Sequence, residues 1–337
     1  DKGEWLQCTL DEPGKPIDDL LYSLLQGALD RLPVPKPMRW SDHEFSFVRP
    51  VHWLVVLHGD RVIPGRLYGC EAGRLTRGHR IHAPGDHELP DSKDYVDRLA
   101  ALKVLVDPEQ RRQRLRNGVE AVGQADGGSA RITPSLLDEV NNIVEWPVPV
   151  GCGFDEEFLT VPQEALIASM ESHQKFFPVL DAEGQLTSRF VVAANIESKD
   201  ESAMAEGYER VIRPRLADAR FFWEQDLKQS REEWLTALDQ VVFQKNLGTI
   251  GDKTRRIEDL SRKIAQELSL DPNDAARAGR RCKADLVSQM VGEFPELQGT
   301  MGAYYLTHDG EPEAVSTAVG QHYRPRFAGD FIPESPI

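Results

Sequence analysis

The sequence predicts an α+β chain, with a mixed α/β portion over residues 1–205 and an all-helical portion over 206–337. Three observations predict it. Before about Glu206, short apolar β-branched runs alternate with helical patterns; after it, strand signals vanish and long helical patterns follow one another. At 337 residues the chain exceeds most single cores, so two domains are expected. Hydrophobic residues at 40% and charged residues at 28% are ordinary for a globular protein. No window approaches the ~18 apolar residues of a membrane span.

The elements follow in order. Leu20, Leu21, Leu24, Leu25 and Leu29 recur at helical spacing, predicting a helix over Asp18–Arg31 that Pro33, Pro35 and Pro37 stop. Val48–Leu57 and Val62–Tyr68 read as a β-hairpin across Gly59-Asp60. The segment Gly73-Arg74-Leu75-Thr76-Arg77-Gly78-His79-Arg80 is a basic loop whose two glycines let its backbone approach a partner closely; a plain surface loop is the alternative. Helices are expected over 94–106 and 108–122, the second capped by Asp107. Another is expected over 134–144. Val144–Val150 reads as an edge strand because of its prolines, with a turn at Gly151-Cys152-Gly153.

The stretch Val161–Val179 joins two element types. Pro162 suits a first helical turn, and Leu166, Ile167 and Met170 continue an amphipathic helix to about His173. Ser172-His173-Gln174-Lys175-Phe176-Phe177-Pro178 then places two donors, a cation and two aromatics where a strand begins. Such a cluster can bind an anion or stack on a base, or it can be a helix end with a buried aromatic pair. Phe176–Leu180 and Arg189–Ala194 flank Asp181–Gly184 as a second hairpin. Beyond it, helices are expected over 208–225, 231–243, 252–268, 274–291 and 314–323.

Charge and cysteine usage narrow the class. The net charge of −15 argues against general affinity for nucleic acid or anionic membranes, though local patches set a specific contact. Arginines gather at 111, 112, 114 and 116, at 210, 213 and 215, and at 277, 280 and 281; a solvated helix face paired with the surplus acids is the bland reading of each. The four cysteines are scattered without a C-x-x-C pair, which excludes a zinc ribbon and fits a reducing cytoplasm. The opening DKGEWLQ has neither Met nor a signal pattern, and both ends read as cut from a longer protein.

Phosphate-loop, dinucleotide and nucleophile-elbow motifs are absent. His308-Asp309 is a literal His-Asp pair. A metal site needs several converging ligands, and no neighbouring His stands at a suitable spacing, so the reading is against metal there, with the pair in a loop. Phe221-Phe222-Trp223 with Trp234 reads as core packing, with base stacking the minor reading.

Seven stretches together resemble the β subunit of the bacterial two-chain glycyl-tRNA synthetase. They are FVRPVHWL at 47–54, TRGHR at 76–80, SHQKFFPVLD at 172–181, NIESKD at 195–200, RVIRPRLADA at 210–219, KADLV at 283–287 and GEFPELQG at 292–299. The resemblance implies a middle segment of that subunit, lacking its N-terminus and its anticodon-binding tail. It implies an editing-type module over 1–205 and a helical HD-phosphohydrolase-like module, truncated, over 206–337. The ligands of that phosphohydrolase pattern would fall at Asp252 and Ala284-Asp285. Only Asp285 is of the required type, so the expectation is a scaffold with no metal and no complete active site.

The function implied is to bind and position tRNA(Gly) for aminoacylation by a separate α subunit, in a cytoplasmic assembly of two α and two β chains. ATP and Mg belong to the α subunit's active site, and no cofactor is expected in this chain. Arg77, His79, Arg80, His173, Lys175, Arg213 and Arg215 are the candidate tRNA contacts, chosen by residue type and by their place in those motifs. The rivals are an editing-type or HD-type hydrolase acting on its own, and a pure subunit-assembly module.

Overall fold

The computed structural model describes residues 5–11 and 13–337; residues 1–4, within the opening read for a signal pattern, and Glu12 lie outside the described residues. The chain divides into two compact units, residues 1–111 and 112–337.

In the first unit, α1 (Ile17–Leu29) forms where the leucine spacing predicts it. Its Tyr22 hydroxyl donates to Ile63 O at 2.7 Å, and Asp18 takes a two-pronged bond from Arg61 at 2.6 and 3.0 Å. Gly65 is required at this contact, because a Cβ there would collide with the Tyr22 ring. The strands are short: β1 (Leu54–Val55), β2 (Leu57–His58), β3 (Arg61–Val62), β4 (Arg66–Leu67), β5 (Cys70–Gly73), β6 (Leu75–Arg77) and β7 (Asp86–Glu88). The hairpin expected across Gly59-Asp60 exists as β2–β3, but its arms end early. Pro64 has no N–H to continue the ladder. Instead β5 takes β1 as a parallel neighbour and β4 as an antiparallel one.

The helix α2 (Tyr95–Ala101) is shorter than the expected 94–106, since Lys103 turns left-handed at φ 62°. The next helix, α3 (Pro108–Ala125), starts on Asp107, whose Oδ1 accepts from Glu109 N at 2.8 Å and Gln110 N at 3.2 Å, as expected.

The second unit is built on a four-stranded antiparallel sheet of order β8-β10-β11-β9, from β8 (Ser129–Ala130), β9 (Val148–Gly153), β10 (Phe177–Leu180) and β11 (Leu186–Ala194). The hairpin over 176–194 is present, and β9 is an edge strand as its prolines suggest. The turn expected at Gly151–Gly153 is instead the end of β9, held in register against Arg189–Val191.

Alternate residues of the sheet enter two cores. Phe177, Val179 and Val191 pack with Leu115 and Val119 of α3 and with Leu136, Leu137 and Val140 of α4 (Pro134–Ile143). Phe176, Phe190 and Val192 pack on the other face, against Ala165 and Leu166 of α5 (Gln163–Ala168) and Ile212 and Leu216 of α6 (Glu201–Leu227).

That second core continues into the helical portion, through Trp234 of α7 (Arg231–Ala237) and on to Met290, Met301 and Tyr305. The packing division therefore lies at 111/112, and residues on both sides of 205/206 share one core. Strands do not vanish after 206: β12 (Val242–Gln244) and β13 (Gly248–Thr249) form a small hairpin. There follow α8 (Ile250–Glu267), α9 (Pro272–Arg281), α10 (Gln289–Glu293), α11 (Thr300–His308) and α12 (Glu313–Gln321). The single helix expected over 274–291 is broken after Arg281. Ser288 caps α10 by accepting from Val291 N at 3.1 Å, and the Asp285 carboxylate turns away to accept from Gly299 N at 2.5 Å and Gly302 N at 3.0 Å.

Candidate nucleic-acid interface

In the first unit, β6 pairs with β7 so that Arg77 faces Asp86. Its Nε lies 3.0 Å from Asp86 Oδ1, and its guanidinium stands 5.0 Å from the centre of the Trp53 ring. Gly78 then passes close to Leu102, where a Cβ would stand 2.7 Å from the Leu102 Cβ. His79 N donates to Leu102 O at 2.9 Å. His79 is only 2% exposed, and its Nδ1 accepts from Ile81 N and His82 N, each at 3.2 Å. The imidazole thus organises the loop from inside, and Arg80 and Ile81 are exposed beside it.

In the second unit, the helix begun by α5 widens into a π-helical turn over Ser169–Gln174, where Ser169 Oγ donates to Ala165 O at 2.9 Å. Such turns are uncommon and concentrate at functional sites. The turn ends on Lys175 in the left-handed conformation, φ 60°. Lys175 Nζ donates to Ser172 O at 2.9 Å and lies 3.0 Å from Glu139. Glu171 pairs with Arg131. The exposed His173 ring stacks 5.4 Å from buried Phe294, so the SHQKFFPVLD and GEFPELQG stretches meet there. Phe176 and Phe177 are both buried, one in each core.

On α6, Arg213 pairs with Asp155, and Arg220 with Glu157 and Glu224. Arg215 is exposed and has no ion-pair partner among the described residues. The third arginine group is likewise matched by acids: Arg277 and Arg281 share Glu311, and Arg280 faces Glu258 at 3.8 Å.

Asp252, where the phosphohydrolase pattern would have a histidine, closes a capping box at the start of α8. It accepts from Thr249 N at 3.0 Å and is bonded by Arg255 at 2.7 Å, which holds its carboxyl down at about 2. Buried Asp285 is pushed up to about 6 by desolvation, against the pull of the two backbone bonds from Gly299 and Gly302. Among the described residues, no group of three or more His, Cys, Asp or Glu is arranged to hold a metal ion. His308 is the last residue of α11 and Asp309 its cap, so the pair sits at a helix end, not in a loop. Asp309 lies 3.1 Å from Arg231.

The family model described as glycyl-tRNA synthetase beta subunit matches residues 1–337. This chain belongs to that family. It is 49% identical to the glycine--tRNA ligase beta subunit of Chromohalobacter salexigens, all of this chain matching 49% of that protein. It is 50% identical to the counterpart from Xanthomonas campestris pv. campestris and 46% identical to that from Pseudoalteromonas atlantica, covering 48% and 49% of them. The chain thus spans about half the length of the curated relatives it matches.

The sequence did not disclose two groupings in this synthetase-family chain. One is the buried set Asp226, Arg231 and Tyr305; the other is a cavity beside Lys283 and His322. Tyr305 lies 79 residues from Asp226, and His322 39 residues from Lys283, so no spacing pattern links them.

Proposed function

We propose that this chain is a tRNA-handling part of a two-chain glycine–tRNA ligase, binding and positioning tRNA(Gly) while a separate α subunit makes glycyl adenylate from glycine and ATP, with Mg, and transfers its glycyl group to the tRNA with release of AMP. The observation that carries the reading is the family match along the whole chain. Its partners are then the α subunit, tRNA(Gly) and a second β chain, in the cytoplasm. The module reading goes with it: an editing-type module over 1–205 and an HD-like helical module over 206–337 that serves as scaffold.

Within the proposal, Arg77 and Arg80 present cations from a loop that His79 shapes from within, and Lys175 and His173 do so from the π-helical turn. Arg213 and Arg215 do so from α6, where Arg213 would exchange Asp155 for a phosphate. Exchange of an exposed carboxylate partner for a phosphate costs little, since exposed ion pairs are worth only ~0–1 kcal/mol.

The test is tRNA(Gly) binding across a salt series. Replacing Arg77 and Arg80 together by Ala is expected to weaken binding and to reduce the slope of log K against log salt by about 1–2, one phosphate contact for each cation lost. Unchanged affinity and slope in a folded variant would remove this loop from the interface. Turnover of mischarged tRNA by the chain alone would favour the hydrolase reading.

A further inference from the structure

A cavity of about 440 Å³ opens between α8, α9 and α12 and is closed on one side by residues 333–337. Its walls are apolar, built from Ile257, Ala265, Leu270, Ala275 and Ala278. On its rim Ile264 and Leu268 are 50% and 63% exposed, an expensive placement for two large aliphatic side chains of one helix. Its polar lining is one-sided. Lys253, Lys283 and Arg324 contribute to it, with Ser261, Gln321 and His322, and no Asp or Glu among the described residues does. That is unexpected in a chain with 55 acidic residues against 40 basic ones.

Lys283 decides what such a cavity can hold. It is 9% exposed, and no carboxylate among the described residues lies within ion-pair distance of it. The nearby Asp285 is engaged by Gly299 N and Gly302 N. The Lys283 ammonium lies 2.8 Å from His322 Nε2 and 3.4 Å from the centre of the Tyr323 ring. Burial holds His322 down at about 4, so its ring is neutral at pH 7. Its Nδ1–H donates to Val319 O at 2.6 Å, which leaves the Nε2 lone pair to accept from Lys283. Two weak neutral partners do not replace a counter-charge. Lys253 stands over the Phe243 ring at 4.0 Å, and Arg324 reaches Asp330 only at 3.8 Å. Gln321 Oε1 is buried with no hydrogen-bond partner among the described residues.

We propose that this cavity binds a small organic anion, with a phosphate or carboxylate head at Lys283, Lys253 and Arg324 and an apolar body against Ile257, Ile264 and Leu268. The head would supply the counter-charge that Lys283 lacks, and a head or body carrying a donor would satisfy Gln321 Oε1. The body would cover the rim of α8. The proposal stands independently of the tRNA reading.

The test uses phenyl phosphate and octanoate as probes, with phenol and octanol as their neutral counterparts, titrated into the full chain by calorimetry. Saturable one-to-one binding of either anion, at least about tenfold tighter than its neutral counterpart, is expected; which anion binds assigns the head as phosphate or carboxylate. Lys283→Met should weaken the anion at least about tenfold and leave the neutral probe unchanged. It should also raise the melting temperature, because an unpaired buried charge is removed. Ala318→Leu, which fills the cavity from α12, should abolish binding of both kinds of probe in a folded chain. Equal binding of anion and neutral probe, anion binding that survives Lys283→Met, or no saturable binding at millimolar probe would overturn the proposal. So would concentration-dependent self-association lost in Leu268→Glu without probe binding, which would make the rim a protein–protein face.

Discussion

A carboxylate with no exposed surface persists in a core only when its lone pairs are used, and Asp226 meets that condition. It accepts from Gln289 N at 2.9 Å, Met290 N at 3.0 Å and the Tyr305 hydroxyl at 2.7 Å, so one side chain of α6 fixes the start of α10 and the middle of α11. Beside it Arg231 donates to Asp226 O at 2.7 Å, lies 3.7 Å from the Trp234 ring and pairs with Asp309. Asp226→Ala strands three donors in this core and is expected to cost about 3–5 kcal/mol. Tyr305→Phe removes one donor and leaves the acceptor two others, for about 1 kcal/mol. Urea unfolding of both variants checks the order; equal losses would mean that the network is not what Asp226 supplies.

The pH response has an equally local origin. The folded pKa of His322, about 4, lies below the ordinary 6.5, so between those values the unfolded chain takes up the proton first and stability falls as pH drops through that window. Asp285, raised to about 6, acts in the opposite sense between 6 and 3.8, since there the folded chain holds the proton. His322→Gln keeps an acceptor for Lys283 and removes only the first effect. Melting temperatures from pH 7 to 4.5 are therefore expected to fall less in the variant than in the parent chain. A steeper fall in the variant would refute the assignment.

At the scale of elements, the π-helical turn and its end at Lys175 carry a cost that packing alone does not call for. A lysine at φ 60° is less comfortable than glycine by about 1 kcal/mol. The half-exposed pair with Glu139 and the bond to Ser172 O return about as much. Lys175→Gly is accordingly expected to leave thermal stability unchanged or slightly higher while lowering tRNA affinity. Loss of stability with full tRNA binding would assign Lys175 to the fold instead.

Element ends differ in how far the sequence alone makes them legible. Where an end is set by a neighbour in the chain, the sequence shows it: Asp107 before α3 and the Asp181–Gly184 turn before β11 were readable. Where an end is set across the fold, it was hidden. Gly151–Gly153 reads as a turn until β11 pairs with it, and 274–291 reads as one helix until Asp285 bonds Gly299 and Gly302. The burial of His79 was hidden for the same reason, since Leu102 and Ile81 make it an interior residue. Motif resemblance located the family, but it gave no sign that Lys283 of the KADLV stretch would line a cavity with His322.

For the whole molecule, the texture of the sequence and the packing of the chain divide it at different places. The sequence pattern changes near residue 205, where strand signals give way to long helical patterns. Packing divides it at 111/112. The difference has a measurable consequence, because the larger core joins Phe176, Phe190 and Val192 of the sheet side to Trp234, Met290 and Tyr305 of the helical portion. Cutting at 205/206 would open that core and expose apolar surface on both pieces, at roughly 25 cal/mol for each Å² returned to water. It would also separate Cys152 and Phe190 from Ile212 and Leu216 of α6, which the cut itself severs. Residues 104–337, by contrast, keep α3 whole on Asp107 and retain both cores of the sheet. This segment is expected to melt cooperatively on its own by circular dichroism. The piece 206–337 is expected to lack a cooperative transition and to bind an apolar dye when separate, and to gain the transition when mixed with 1–205, which keeps the smaller core whole. A sharp, independent melt of 206–337 would show instead that the helical portion closes a core without the sheet, and that the texture boundary is also a folding boundary.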